Sequence, residues 1–125
     1  MSQYPGVIEL SSLGGVDGFK IDGVAAGDQS GGSVASAGDV NGDGFDDIII
    51  GARTASPSLA QNQAGASYVV FGSAYGFPAS VDLSSLDGNI GFRISGELGT
   101  DLSGTSVGAA GDVNGDGFAD LIIGA

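Results

Sequence analysis

Asp39-Val40-Asn41-Gly42-Asp43-Gly44-Phe45-Asp46-Asp47 returns 73 residues later as Asp112-Val113-Asn114-Gly115-Asp116-Gly117-Phe118-Ala119-Asp120, changed at one position. Outward from this pair, residues 10–52 align without a gap with residues 83–125, and 28 of the 43 aligned positions are identical. Agreement of that extent is a true internal repeat, and a repeat of this period marks an array of like structural units. The matched landmarks outside the loop are Leu10-Ser11-Ser12-Leu13 with Leu83-Ser84-Ser85-Leu86, Gly18-Phe19 with Gly91-Phe92, Asp28 with Asp101, and Ser33-Val34 with Ser106-Val107.

The apolar runs are short, rich in Val, Ile, Phe and Tyr, and bounded by Gly, Asp, Asn and Ser, which is the pattern of strands joined by turns. The 25 glycines lie between these runs, so many tight turns and an all-β chain are expected, with no helix. Strands are predicted at 19–24, 33–37, 47–52, 66–71, 91–96, 106–110 and 120–124. Ile48-Ile49-Ile50 and Leu121-Ile122-Ile123 are continuous rather than alternating, so both faces of those strands should be covered and sheets should stack on sheets. Ser33-Val34-Ala35-Ser36-Ala37 and Ser106-Val107-Gly108-Ala109-Ala110 carry mostly small side chains, as a crowded place near a central axis requires. This geometry suggests propeller blades.

The loops point to a cation. Oxygen side chains stand at positions 1, 3, 5 and 9, a backbone carbonyl is available at position 7, and glycine at position 6 permits the sharp bend between ligands. Ca²⁺ takes six to eight oxygens, and three carboxylates so close together would repel one another without a cation between them. An Asn-Gly or Asp-Gly turn with solvated aspartates is the plain alternative, but it explains neither position 9 nor the recurrence. An EF-hand or a dockerin needs an acidic ligand at position 12 and a following helix, whereas Ile50 or Ile123 stands there inside a β-like run. Mg²⁺ fits less well, because it keeps several waters rather than accept a dedicated protein cage.

The stretch 33–52, Ser-Val-Ala-Ser-Ala-Gly-Asp-Val-Asn-Gly-Asp-Gly-Phe-Asp-Asp-Ile-Ile-Ile-Gly-Ala, resembles the FG-GAP repeat of integrin α-subunit propellers and their bacterial relatives. The resemblance covers nearly the whole chain. It implies four-stranded antiparallel blades, a calcium loop joining the innermost strand to the second, and ligand recognition mainly on the face opposite the calcium loops. Position by position, it implies calcium ligands at Asp39, Asn41, Asp43, the Phe45 carbonyl and Asp47, and again at Asp112, Asn114, Asp116, the Phe118 carbonyl and Asp120, with about two Ca²⁺ per chain. The strands then read as outer, inner, second, third, outer, inner, second. On this reading residues 1–18 are a lead-in, 19–82 a first repeat region holding loop 39–47, and 83–125 a second, truncated one holding loop 112–120.

At 73 residues per unit the 125 residues hold about 1.7 units, and a propeller closes with about four to eight blades. One chain alone is therefore expected to be incomplete. Missing blades of a longer chain, a ring of several copies, or an open head-to-tail filament would each complete it, the last two through heterologous contacts.

Composition narrows the chemistry. Fifteen acidic residues against three basic ones give a net charge of −12, which argues against nucleic acid or an anionic membrane as a partner. Two bound Ca²⁺ would bring that charge to −8. The absence of Cys and His removes disulfides, thiolate or imidazole metal sites and histidine-based nucleophilic catalysis. A mean hydropathy of +0.25 is too apolar for a disordered chain, yet no apolar run approaches the roughly 20 residues of a membrane-spanning helix. The start, Met1-Ser2-Gln3-Tyr4-Pro5, has neither a basic nor an apolar region, so no signal peptide is expected there.

Other candidates have plainer readings. Asp28 and Asp101, which are repeat partners, read as turn or inter-blade hydrogen-bonding residues. Glu9, Glu97 and Asp82 offer no arrangement for acid–base chemistry. Lys20 and Arg93 are expected to cover an aromatic ring or pair with an aspartate. The polar loop 54–65 and the segment 73–80, with Tyr75, Phe77 and Pro78, are the exposed stretches able to carry recognition. The residues thus point to a calcium-binding module with structural calcium, not an enzyme, and the resemblance to FG-GAP repeats implies an extracellular or cell-surface role in recognition or adhesion, or self-assembly. Its partners would be other copies or missing blades, or a protein or carbohydrate ligand. A purely structural self-assembling unit is the alternative, and part of a secreted hydrolase the second.

Overall fold

A computed structural model describes residues 5–58 and 62–125; the chain start and positions 59–61 of the polar loop lie outside the described residues. Eight strands run in the order β1 (Lys20–Asp22), β2 (Ser33–Gly38), β3 (Asp47–Ala52), β4 (Ala66–Val70), β5 (Ser80–Asp82), β6 (Gly91–Ser95), β7 (Ser106–Gly111) and β8 (Asp120–Gly124). Two 3-10 turns, Leu10–Ser12 and Leu83–Ser85, fall on the repeated Leu-Ser-Ser sequence, and no α-helix forms among the described residues.

β2, β3, β4 and β6 make one complete antiparallel blade in that spatial order, so the inner, second, third and outer strands fall where the repeat pattern places them. β7 and β8 are the inner and second strands of the next blade. The blade therefore runs across the sequence repeat, taking its outer strand from the 73-residue unit after the one that supplies the other three.

Both hairpins that carry an aspartate loop break register at the same place. Ser36 pairs with Ile48 and Gly38 with Asp47, leaving Ala37 as the extra residue, and Gly111 against Asp120 repeats the irregularity. Gly38 and Gly111 stand at φ +69° and +75°, the left-handed region that glycine enters most readily. The bulge bends the inner strand into the loop.

The residues of β4 are all buried and those of β3 nearly so, as a strand with a layer on each face requires. One face packs Ile50, Ala52, Tyr68 and Val70 with Leu83 beneath Ile21, Phe77 and Leu86. Phe77 stacks on Phe19 with ring centroids 4.0 Å apart, so that aromatic is packing, while Tyr75 is exposed. The other face packs Ala37, Ile49 and Val69 against Val107, Leu121 and Ile123 of the next blade.

Two expectations change. β8 has only one covered face: Leu121 and Ile123 point at the first blade, and Ile122 on the opposite side is 62% exposed. The strand at 19–24 is reduced to Lys20–Asp22, and it pairs in parallel with β5, a strand the sequence does not announce. Three residues are too few to display a period of two.

Ile49 and Ile122 are repeat partners with the same side chain, one fully buried and the other exposed. Ile49→Ala is expected to cost about 2–5 kcal/mol by cavity formation, and Ile122→Ala, in dilute solution, within about 0.5 kcal/mol. Equal losses in denaturant unfolding would contradict this layering.

Candidate metal site

Each aspartate loop folds around its first carboxylate. Oδ1 of Asp39 accepts from the amides of Gly42 (2.8 Å) and Asp43 (3.1 Å), and Oδ2 from that of Gly44 (2.8 Å). Asp112 accepts in the same way from Gly115 (2.8 Å), Asp116 (3.1 Å) and Gly117 (2.9 Å). The second carboxylate takes the amide of the loop phenylalanine, Asp43 from Phe45 at 2.9 Å and Asp116 from Phe118 at 3.0 Å. The asparagine carbonyls accept from the amides of Asp43 and Asp116 at 3.4 and 3.3 Å. Local sequence thus wraps both loops alike, with short acceptor side chains capturing amides that glycine conformations turn inward.

The last carboxylate ties the loop to the sheet. Oδ2 of Asp47 accepts from Val40 at 2.9 Å and Oδ1 from Gly72, just past β4, at 2.8 Å. Asp47 is only 1% exposed. Lys20 pairs with Asp22 at 3.6 Å, and among the described residues no lysine or arginine forms an ion pair with Asp47. Two backbone amides thus hydrogen-bond a carboxylate that is almost wholly withdrawn from water. In the second hairpin Oδ2 of Asp120 accepts from Val113 at 2.7 Å.

The two loops differ in how closely their carboxylates approach one another. Asp112, Asp116 and Asp120 each present a carboxylate oxygen within 4.8 Å of the others. Asp39, Asp43 and Asp47 do not form such a group, and the Asp47 carboxylate lies between the amides of Val40 and Gly72. The all-oxygen donor set, with an asparagine carbonyl and a backbone carbonyl in the same loop, suits a hard cation of the size of Ca²⁺.

The remaining candidates behave as structural residues. Oδ2 of Asp101 accepts from Leu98 at 2.9 Å, closing a turn. The backbone carbonyl of Asp28 accepts from Thr54. Asp82 caps the 3-10 turn through the amide (2.9 Å) and hydroxyl (2.7 Å) of Ser84, which hold its carboxyl below the usual range. At the strand ends opposite the aspartate loops, the described part of loop 54–65 packs on loop 97–105, with Thr100 donating to Asn62 and Leu102 to Gln63. There Asp28, Tyr68 and Arg93 line a cleft of about 400 Å³ with Ser56 and Pro57. Burial pushes the Tyr68 hydroxyl pKa up, and the nearby Asp28 carboxylate adds to that. This cleft is a feature that sequence reasoning missed, because its members lie on four separate segments.

A blade of four antiparallel strands with an aspartate loop between the first and second defines a β-propeller module. Comparison with known proteins agrees. The FG-GAP repeat matches at residues 30–70 and 103–125, more than half of the chain, and the chain belongs to that family. It is also 31% identical over 102 residues to integrin alpha-PS5 of Drosophila melanogaster, an alignment covering 82% of this chain and 9% of that protein.

The Gly44 amide, with those of Gly42 and Asp43, keeps the Asp39 carboxyl below the ordinary 3.8, against the opposing pull of partial desolvation, and Gly117 leads the same effect on Asp112. A lowered folded-state pKa stabilises above the unfolded value and is lost as pH falls through the folded one. In calcium-free buffer the Gly44 and Gly117 amide resonances are therefore expected to titrate with midpoints below pH 3.8. Midpoints at or above that value would contradict the geometry.

Proposed function

We propose that this chain is a calcium-binding propeller module in which calcium is structural, one ion in each of loops 39–47 and 112–120. The convergence of Asp112, Asp116 and Asp120 carries this reading. The near-identical hydrogen bonding of the first loop extends it to Asp39, Asn41, Asp43, Phe45 and Asp47, with a modest movement of the Asp47 carboxylate on binding. The ligands in the second loop are Asp112, Asn114, Asp116, the Phe118 carbonyl and Asp120. A bound Ca²⁺ would offset two of the three clustered negative charges and fix the inner hairpin to the rest of the blade.

The likeness to an integrin α chain supports a role outside the cell or at its surface, in recognition or adhesion rather than in catalysis. The Asp28–Tyr68–Arg93 cleft and loop 54–65, at the end away from the metal loops, would meet a protein or carbohydrate ligand. A second reading is that other copies of itself, or further blades of a longer chain, complete the propeller and cover the apolar face of β8.

Binding to the folded state alone converts calcium affinity into stability. With calcium at about 100 times its Kd, chelation is expected to lower the melting temperature by about 10 °C or more. The double substitution Asp43→Ala with Asp116→Ala should do the same and make the chain indifferent to chelator. A melting temperature unchanged by both treatments would refute structural calcium.

A further inference from the structure

Two of the chain's four asparagines, Asn41 and Asn114, stand directly before a glycine, each exposed and inside an aspartate loop. The side-chain amide carbon of an asparagine is open to attack by the next backbone nitrogen, and a glycine there, having no Cβ, hinders the approach least. Asn62 and Asn89 are followed by Gln63 and Ile90, whose side chains crowd it.

In the folded loops the attacking atom is turned away from its target. A backbone nitrogen attacks along the direction its hydrogen occupied, and the Gly42 N–H is donated to Oδ1 of Asp39 at 2.8 Å. The Gly115 N–H is donated to Oδ1 of Asp112 at 2.8 Å. A carboxylate so placed also opposes the negative charge that the nitrogen must gain. The target is held as well. The Asn41 side chain accepts from the Asp43 amide and donates to Oδ2 of Asp43, both at 3.4 Å, and Asn114 accepts from the Asp116 amide at 3.3 Å. Loop 39–47 has a further restraint from the neighbouring hairpin. The Phe118 ring lies over Gly42 so closely that a methyl group there would come within 2.5 Å of it, whereas Gly115 has nothing within 4 Å of the same position.

We propose that Asn41 and Asn114 are sites of spontaneous deamidation, held off by the folded loops and, at Asn41, by the Phe118 ring as well. When a loop opens, the glycine nitrogen bonds to the asparagine Cγ and gives up its proton. The Cγ–Nδ2 bond breaks, and the side-chain nitrogen leaves as ammonia carrying that proton. The five-membered imide left behind takes up one water at either carbonyl. Cleavage at Cγ leaves aspartate, and cleavage at the main-chain carbon leaves isoaspartate, with one more carbon in the backbone. Either product adds a negative charge to a loop already crowded with carboxylates. Isoaspartate at position 41 also moves the Gly42, Asp43 and Gly44 amides off the Asp39 carboxylate that captures them. Loop opening is thereby recorded as an irreversible change in charge and backbone length.

Incubation of the full chain at mildly alkaline pH tests this, with each asparagine followed by peptide mass spectrometry and isoaspartate separated by chromatography. Chelator is present throughout, so the outcome does not depend on whether the loops bind calcium. Circular dichroism checks folding, and if the chelated chain is unfolded the folded arm is run with calcium. Unfolded in guanidinium, the chain is expected to react at Asn41 and Asn114 well ahead of Asn62 and Asn89. Folded, both sites should slow by about tenfold or more, because only the transiently open loop reacts. Asn41 should then be slower than Asn114. Phe118→Ala, or Phe118→Leu if the alanine variant is unfolded, should speed Asn41 towards the Asn114 rate. Asp39→Ala should speed Asn41 and leave Asn114 as it was. Asn114 in the same molecule is the folding control, since general unfolding would speed both. A folded chain that reacts at Asn41 as fast as the unfolded one overturns the proposal. So does an unfolded chain in which Asn41 and Asn114 are no faster than Asn62 and Asn89, or an Asn41 rate indifferent to both substitutions.

Discussion

The carboxylate of Asp47 holds three segments at one point. It sits at the start of β3, and its two oxygens take amides from Val40 in the loop and Gly72 beyond β4. These bonds fix where the loop ends and the strand begins, immediately after the bulge at Ala37. That starting point sets the register of β3, and register decides which isoleucines face which neighbour, since a slip of one residue exchanges the faces. Ile49 then points to the following blade, and Ile48 and Ile50 to the Leu83–Phe77 layer. A buried negative charge at this junction is costly unless hydrogen bonds or a cation compensate it, and these two amides supply the hydrogen bonds. The fold and the proposed metal site therefore depend on the same side chain.

Blade order, the small residues of the inner strand and the closely covered β3 are legible in the sequence, because each rests on a local pattern repeated twice. The aspartate loops are legible for the same reason: acceptor side chains and glycines at fixed spacing dictate their own hydrogen bonds. What remained hidden is long-range. Asp47 meets Gly72 across 25 positions, and no spacing rule connects them. The pairing of β1 with β5 depends on two three-residue strands with no period to read. β8 carries the same apolar run as β3, yet one of its faces is open, since burial belongs to the neighbouring blade and not to the strand. The cleft at Asp28, Tyr68 and Arg93 is assembled from separate segments in the same way.

Repetition makes the chain its own control. Identical residues at positions 73 apart experience different surroundings, and the difference isolates what a neighbouring blade contributes. Ile49 against Ile122 isolates burial, and Gly42 against Gly115 isolates the fit of an aromatic ring. Units that contact only their neighbours leave such open ends, and the stability of an array grows with each interface added. The proposed ion and the apolar face would act at different points, the ion on the hairpin within a blade and the face between one blade and the next.

Counting bound calcium by equilibrium dialysis tests the central claim most directly. Extracellular calcium modules often bind with Kd near 10⁻⁴–10⁻³ M, so the ion is supplied at about 10 mM. The account predicts two calcium ions per chain, falling to one in Asp43→Ala and to one in Asp116→Ala. A chain that binds none under these conditions, or that keeps both after either substitution, would contradict it.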